Sequence, residues 1–318
     1  MKKLLILVVL VAALGYGGAT WMLHSKVGDS MDSLVLLAAP FAKIEYGGIR
    51  STLGGELTIE NVTIDFNDFS DDLEIGRVGI DTEHFLALLE MNDFLSMQSR
   101  EVPDYFGFIV DDVRLPSDAD YFRAAFRALE EAAGEAYPDD PAARCSGQAG
   151  LSPELLAELG YAEQRFSMRM GFEREDRGVS VNIDTRVEDM WDAHIDLDIA
   201  GDVSPQALMA QAYRPRMSSM RLEYTDLSFN ERVRQNCIRQ GLSEEEILTA
   251  QLEAFRQFGM DNGIEFDEYV IEPYTEFLKG KNTLVITATP NEPVALSQID
   301  LYKPSDVPAL LQLEASTY

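Results

Sequence analysis

The sequence predicts an α+β protein: an N-terminal transmembrane helix, then curved antiparallel β-sheet with helices packed on its apolar face. Three observations predict it. An uninterrupted apolar run extends from Leu4 to Leu23, with Lys2 and Lys3 just before it. Apolar and polar residues alternate over Leu57–Phe66, and in three successive segments between Phe166 and Ile199. Elsewhere the apolar spacing is helical, as over Asp118–Ala136 and Asn230–Phe258. Alternation marks a half-buried strand, and a stripe at three- and four-residue spacing marks a helix with one covered face.

Taken in order, the run Leu4–Leu23 comes first. About 20 helical residues at 1.5 Å each span the ~30 Å hydrocarbon core of a bilayer. The two lysines hold the N-terminus in the cytoplasm, and Trp21 falls where an interfacial aromatic would sit. This predicts a single-pass bacterial inner-membrane protein with its C-terminal domain in the periplasm. The alternative is a signal peptide, with Leu4–Leu14 as its apolar core and Gly17-Gly18-Ala19 as its cleavage site, leaving a soluble periplasmic protein. The chain divides into a cytoplasmic stub and anchor (1–26), a β-rich subdomain with a helix (27–137), a linker (138–150) and a meander with a helical block and C-terminal strands (151–318).

Asp29–Ala42 reads as a short amphipathic helix or stalk. In the strand Leu57–Phe66, the alternation of Leu57, Ile59, Val62, Ile64 and Phe66 slips once at Glu60-Asn61, the mark of a bulge. Leu73–Ile80 is the next strand, His84–Met91 a short helix, and Tyr105–Leu115 a strand with Phe106, Phe108 and Val110 on one face. Tyr121, Phe122, Ala125, Phe126 and Leu129 form the stripe of the helix Asp118–Ala136. Pro138-Asp139-Asp140-Pro141 ends that helix, and the segment running on to Gly150 is the subdomain boundary. Ser152-Pro153-Glu154 opens a short helix that Gly160 closes. Three strands follow, turning at Glu175-Asp176-Arg177-Gly178, then a helix from Ser204-Pro205 and a strand over Arg216–Phe229. Ser243 with Glu246 is a capping box inside Asn230–Phe258. Phe266–Leu278 is a helix, Thr283–Thr289 and Val294–Leu301 are strands, and Pro304–Leu313 is a terminal helix.

Composition narrows the function. The chain has 318 residues, with 46% hydrophobic content and a net charge of −29. Such a chain can bury a sizeable core, and its surface repels nucleic acid. Two cysteines, Cys145 and Cys237, fall in the exported part, where an oxidising compartment favours their pairing; two buried free thiols are the alternative.

Chemical signatures are few. The histidines His24, His84 and His194 belong to no HExxH or His-x-His pattern, so zinc chemistry has no support. No GxSxG elbow or P-loop is present. Asp65–Asp72 and Asp261-Asn262-Gly263 resemble calcium loops but lack the required ligands, and read as solvated turns. Asp192, His194, Asp196 and Asp198 share one strand face; paired carboxylates can hydrolyse glycosides, but such a row more often forms a hydrated sheet surface. No catalytic, cofactor or metal residue is assigned. The opposite face, with Met168, Met170, Val181, Ile183, Trp191, Ile195 and Leu197, is the candidate apolar ligand face, expected to lie under helices such as Asp118–Ala136.

The segment Gly55-Glu56-Leu57-Thr58-Ile59-Glu60-Asn61-Val62-Thr63-Ile64, following an apolar helix and a strand, resembles the opening of AsmA-like proteins of Gram-negative inner membranes, and is similar to the YdgA-like family. The resemblance covers about the first 80 residues and implies an envelope location; it carries over no functional residue. The expected function is therefore a membrane-tethered periplasmic protein of structural or assembly type that acts through protein contacts without catalysis. Its expected partners are the inner membrane, through Leu4 to Leu23, and an envelope protein or lipid, with no nucleic acid and no cofactor. A lipid or apolar-ligand binding and transfer module is the alternative, and an envelope hydrolase the second.

Overall fold

In the computed structural model, which describes residues 2–88, 103–133, 145, 152–176, 178–201 and 215–318, twelve strands join into one antiparallel sheet accompanied by helices. The strands are β1 (Ala42–Glu45), β2 (Gly48–Ser51), β3 (Leu57–Phe66), β4 (Asp72–Thr82), β5 (Tyr105–Pro116), β6 (Glu163–Glu175), β7 (Gly178–Val187), β8 (Trp191–Ala200), β9 (Arg216–Asp226), β10 (Thr283–Ala288), β11 (Val294–Ala295) and β12 (Leu313–Thr317). Their spatial order is β1-β3-β4-β5-β6-β7-β8-β9-β10-β12, with β2 also on β3 and β11 on β9. The helices are α1 (Lys2–Ala38), α2 (Asp120–Ala133), α3 (Pro153–Glu158), α4 (Phe229–Arg239), α5 (Glu244–Asp261), α6 (Glu268–Leu278) and α7 (Val307–Leu311). β5 pairs directly with β6, so strands on both sides of segment 138–150 belong to one sheet.

The expected transmembrane helix is corrected. Among the described residues, no helix is long and apolar enough to cross a membrane. α1 continues past the apolar run through Lys26, Asp29 and Asp32 to Ala38. Leu23, the expected end of a span, is 6% exposed and packs with Leu57, Phe85 and Leu88, beside Ala19, Val27, Ile49 and Ile80. His24 Nε2 lies 3.0 Å from Ser51 Oγ on β2. A helix stripe taken up by a sheet is not available to lipid. The side chains of Leu4 to Gly18 lie outside those described. The fold class is thus a large antiparallel sheet of twelve strands with helices, not a membrane anchor followed by an α+β domain.

The alternation slip at Glu60-Asn61 has a structural counterpart that crosses several strands. Asn61 takes a left-handed conformation, φ 52°, and so does Asp112 on β5, φ 55°. Gly76 lies between them in the ladder: pairing holds at Glu60–Arg77 and Val62–Ile75, and at Arg77–Asp111 and Ile75–Val113. A Cβ on Gly76 would approach Asp112 Cβ to 2.9 Å. The row ends at β6, where the register shifts between Val110 and Val113 and the Asp112 amide donates to Ser167 Oγ at 3.1 Å. Each crossed strand changes phase at this row. Leu57, Ile59, Val62 and Ile64 therefore keep one face, which no strictly alternating strand would allow.

Turn and cap chemistry places the helices. Ser152 accepts from the Leu155 amide, Pro153 occupies the first turn of α3, and Gly160 follows the helix at φ 82°. Ser243 and Glu246 form the capping box of α5. Two C-terminal expectations are corrected. Val294–Leu301 pairs only over Val294–Ala295, after which Leu296–Leu301 winds into a 3-10 helix. The last strand is instead Leu313–Thr317, five residues paired along β10. The expected helix from Ser204-Pro205, residues 134–136 and 89–91, and the segment 138–150 apart from Cys145, lie outside the described residues.

Helices cover the apolar face at three places. α1 covers the β2–β4 region through Leu23. Leu155, Leu156 and Leu159 around α3, with Val233 and Cys237 of α4 and Ile247 of α5, pack on Val187 and Met190, with Phe122, Phe166 and Trp191 at the margin. Val270 of α6 and Val307 and Leu311 of α7 pack on Met217, Ala288 and Leu313, with Leu197 and Met220 at the margin. Cys145 and Cys237 stand at disulfide distance, 2.09 Å between sulfurs and 6.0 Å between Cα atoms, inside the second of these cores.

Candidate functional site: an apolar band and a polar groove

Register brings the seven candidate residues to one face. Met170 opposes Ile183, which opposes Ile195, which opposes Leu222. In the next row Phe172, Val181, Leu197 and Met220 stand in line, and nearer the other end Phe166, Val187 and Trp191 do. Met168 faces Val110 of β5 and Thr185 of β7. The face is shared, but its covering is not uniform. Trp191 borders the α3–α4 core and Leu197 the α6–α7 core. Met168, Met170, Ile183 and Ile195 lie between those cores and are only partly buried.

Three phenylalanines complete this central band. Phe106 stacks on Phe172 at 4.8 Å between centroids, and Phe108 meets both edge-on at 5.9 and 6.4 Å. Phe108 remains 40% exposed. Phe106 and Phe108 alternate on β5 as the sequence indicates, but only the β5–β6 register, Phe106–Phe172 and Phe108–Met170, shows that they belong with the methionines. An aromatic cluster left partly open in the middle of a sheet can take up another apolar surface.

The other face is polar, and an open groove of about 560 Å³ lies on it, lined in part by Asp111, Arg169, Asp184, Arg186, His194 and Glu223. Its members are tied across strands. Arg186 grips Asp192 through two bonds of 2.7 and 3.0 Å, and Arg77 reaches Asp111 at 2.6 Å. The Ser167 hydroxyl donates to Asp111 at 2.6 Å. That bond, then the Arg77 guanidinium, hold the Asp111 carboxyl below its ordinary range. His194 lies between two carboxylates, Nδ1 2.6 Å from Asp184 and Nε2 2.9 Å from Asp196. These contacts, Asp184 first, raise the His194 pKa above the usual imidazole value. Of the row expected from sequence, Asp192, His194 and Asp196 thus engage cross-strand or same-strand partners, and Asp198 accepts from Ser219. Among the described residues no group of three or more His, Cys, Asp or Glu could hold a metal ion.

Residues 149–317, more than half of the sequence, match the model of a family described as "Uncharacterized protein". The chain belongs to that family. The matched span takes in β6 to β12, the α6–α7 core, most of the α3–α4 core, and most of the groove and band. Among curated proteins, none matches the chain.

Proposed function

We propose that this chain is a non-catalytic binding protein, and that the central apolar band of its sheet holds an apolar ligand of lipid type. One observation carries the reading: Phe108 is 40% exposed within the stacked Phe106–Phe172 cluster, in line with half-buried Met168, Met170, Ile183 and Ile195. A patch of this kind is unfavourable in water, while burying it stabilises by roughly 25 cal/mol per Å². An oxidising envelope compartment belongs to this reading, because the Cys145–Cys237 pair is positioned to close a bond there. The test is mild purification of the full chain, solvent extraction and mass measurement of what is released. Near one-to-one lipid with the natural sequence, and none with Phe108→Asp, is the expected result. A ligand-free chain, or equal lipid on both, contradicts it.

A second reading, assembly through protein contacts in the envelope, rests on a different surface. Leu34, Leu36 and Leu37 at the end of α1, with Phe41 just after it, are all exposed. Leu34 and Leu37 share one face of α1, and Phe41 follows in the turn after it, an exposed apolar group that a partner's groove could take up. Substituting Leu37 and Phe41 by Asp should abolish complex formation in gentle extracts while lipid content stays unchanged.

A further inference from the structure

We propose that His194 is a charged clamp between β7 and β8, and that it releases the polar groove when it loses its proton as pH rises. The argument starts from hydrogen-bond chemistry. A neutral imidazole has one donor and one acceptor, and an ionised carboxylate only accepts. Both His194 nitrogens lie within hydrogen-bond distance of carboxylate oxygens, Asp184 Oδ1 at 2.6 Å and Asp196 Oδ2 at 2.9 Å. Only the imidazolium can donate to both. In the neutral ring one nitrogen lone pair would face a carboxylate at that distance, and one of the two contacts would have to open.

The surrounding charges sharpen the case. On β7 the facing groups are Asp184 and Arg186, on β8 Asp192 and Asp196, and on β9 Glu223, directly opposite His194, with Arg221. β6 contributes Arg169, in register with Asp184, and β5 contributes Asp111. Most of the arginines are engaged elsewhere: Arg186 by Asp192, and Arg221 by Glu223 at 2.6 Å. Tyr318 donates to the remaining Glu223 oxygen at 3.1 Å. His194 is therefore the cation shared by Asp184 and Asp196. When it is neutral, those two carboxylates and Glu223 face one another across β7, β8 and β9 without it.

The clamp has a defined direction. A histidine whose folded pKa is raised stabilises fully below its unfolded pKa, and that contribution is lost as pH rises through the folded value. The chain contains three histidines, so the ring signals of the full protein can be followed by proton NMR and assigned with His194→Gln. The expected His194 midpoint lies above the ordinary imidazole value of about 6.5, and Asp184→Asn lowers it. A midpoint at or below that value, or one that Asp184→Asn leaves in place, overturns the clamp. Thermal midpoints give the second readout. The difference between the natural chain and His194→Gln should be largest at acid pH and vanish toward alkaline pH, and a difference constant across pH overturns it.

Discussion

The helix-covered ends of the apolar face and its central band are built from the same kinds of residue, yet they are buried to different degrees. At the ends, Val187 of β7 and Met217 of β9 are buried under helices, at 6% and 3% exposure. In the band, Met170, Ile183 and Ile195 stand on the same face of β6, β7 and β8 and stay only partly buried. Composition and alternation are alike in the two regions. The difference is made by where helices land, and helices land where the meander's turns and caps put them. How deeply an apolar strand face is buried thus follows from its cover, not its sequence.

That contrast can be broken by experiment, beginning at the covered end. Reducing the Cys145–Cys237 pair, 92 residues apart in sequence, should destabilise the chain by about 4–5 kcal/mol on the chain-entropy model. Denaturant midpoints with and without reductant measure it; an unchanged midpoint would mean that the pair is open in solution. Leu156→Ala, at 2% exposure, should cost about 2–5 kcal/mol. Met170→Ala in the band should cost only about 1 kcal/mol, since part of its surface already meets water. Equal losses for the two substitutions would show that the band is ordinary core.

Smaller effects probe the row that keeps both regions on one face. Asn61→Ala should cost about 1 kcal/mol, because a left-handed residue loses its tolerant side chain, whereas Asn61→Gly should be close to neutral. Equal effects of Ala and Gly would contradict a backbone origin. On the polar face, Asp111 predicts a pH dependence opposite in sign to that of His194. Its pKa is lowered by Ser167 and Arg77, so its stabilising contribution is present above the unfolded carboxyl pKa and fades as pH falls through the folded value. Comparing Asp111→Asn with the natural chain across the acid range measures this, and the variant should show the flatter curve.

Much of the sheet was legible before any coordinates. The alternation Phe166 to Ile199 yields three strands and their faces as a local consequence of a two-residue period, whereas the slip at Glu60-Asn61 marks a left-handed Asn61 and not the expected bulge, since the β3–β4 register runs on unshifted. Ser152-Pro153 and Ser243–Glu246 announce helix starts for equally local reasons. What stayed hidden depends on distant partners. The slip at Asn61 carries no sign that Gly76 and Asp112 share it. The apolar run of α1 reads as a bilayer span because hydropathy is silent about a sheet waiting for Leu23. Leu313–Thr317 is too short to show a period of its own and is a strand because β10 lies beside it. Phe108 and Phe172 join the methionine face only through the β5–β6 register, and the Asp184–His194 pairing likewise exists only across β7 and β8.

The most direct test of the band is equilibrium titration of the full chain with a fluorescent long-chain fatty acid, run beside Phe108→Asp and beside Ser180→Asp on the polar face. Saturable binding near one ligand per chain, weakened at least ~10-fold by Phe108→Asp (about 1.4 kcal/mol) and untouched by Ser180→Asp, is the result a half-open apolar band predicts. Absence of saturable binding to the natural chain, or equal loss in both variants, would contradict it.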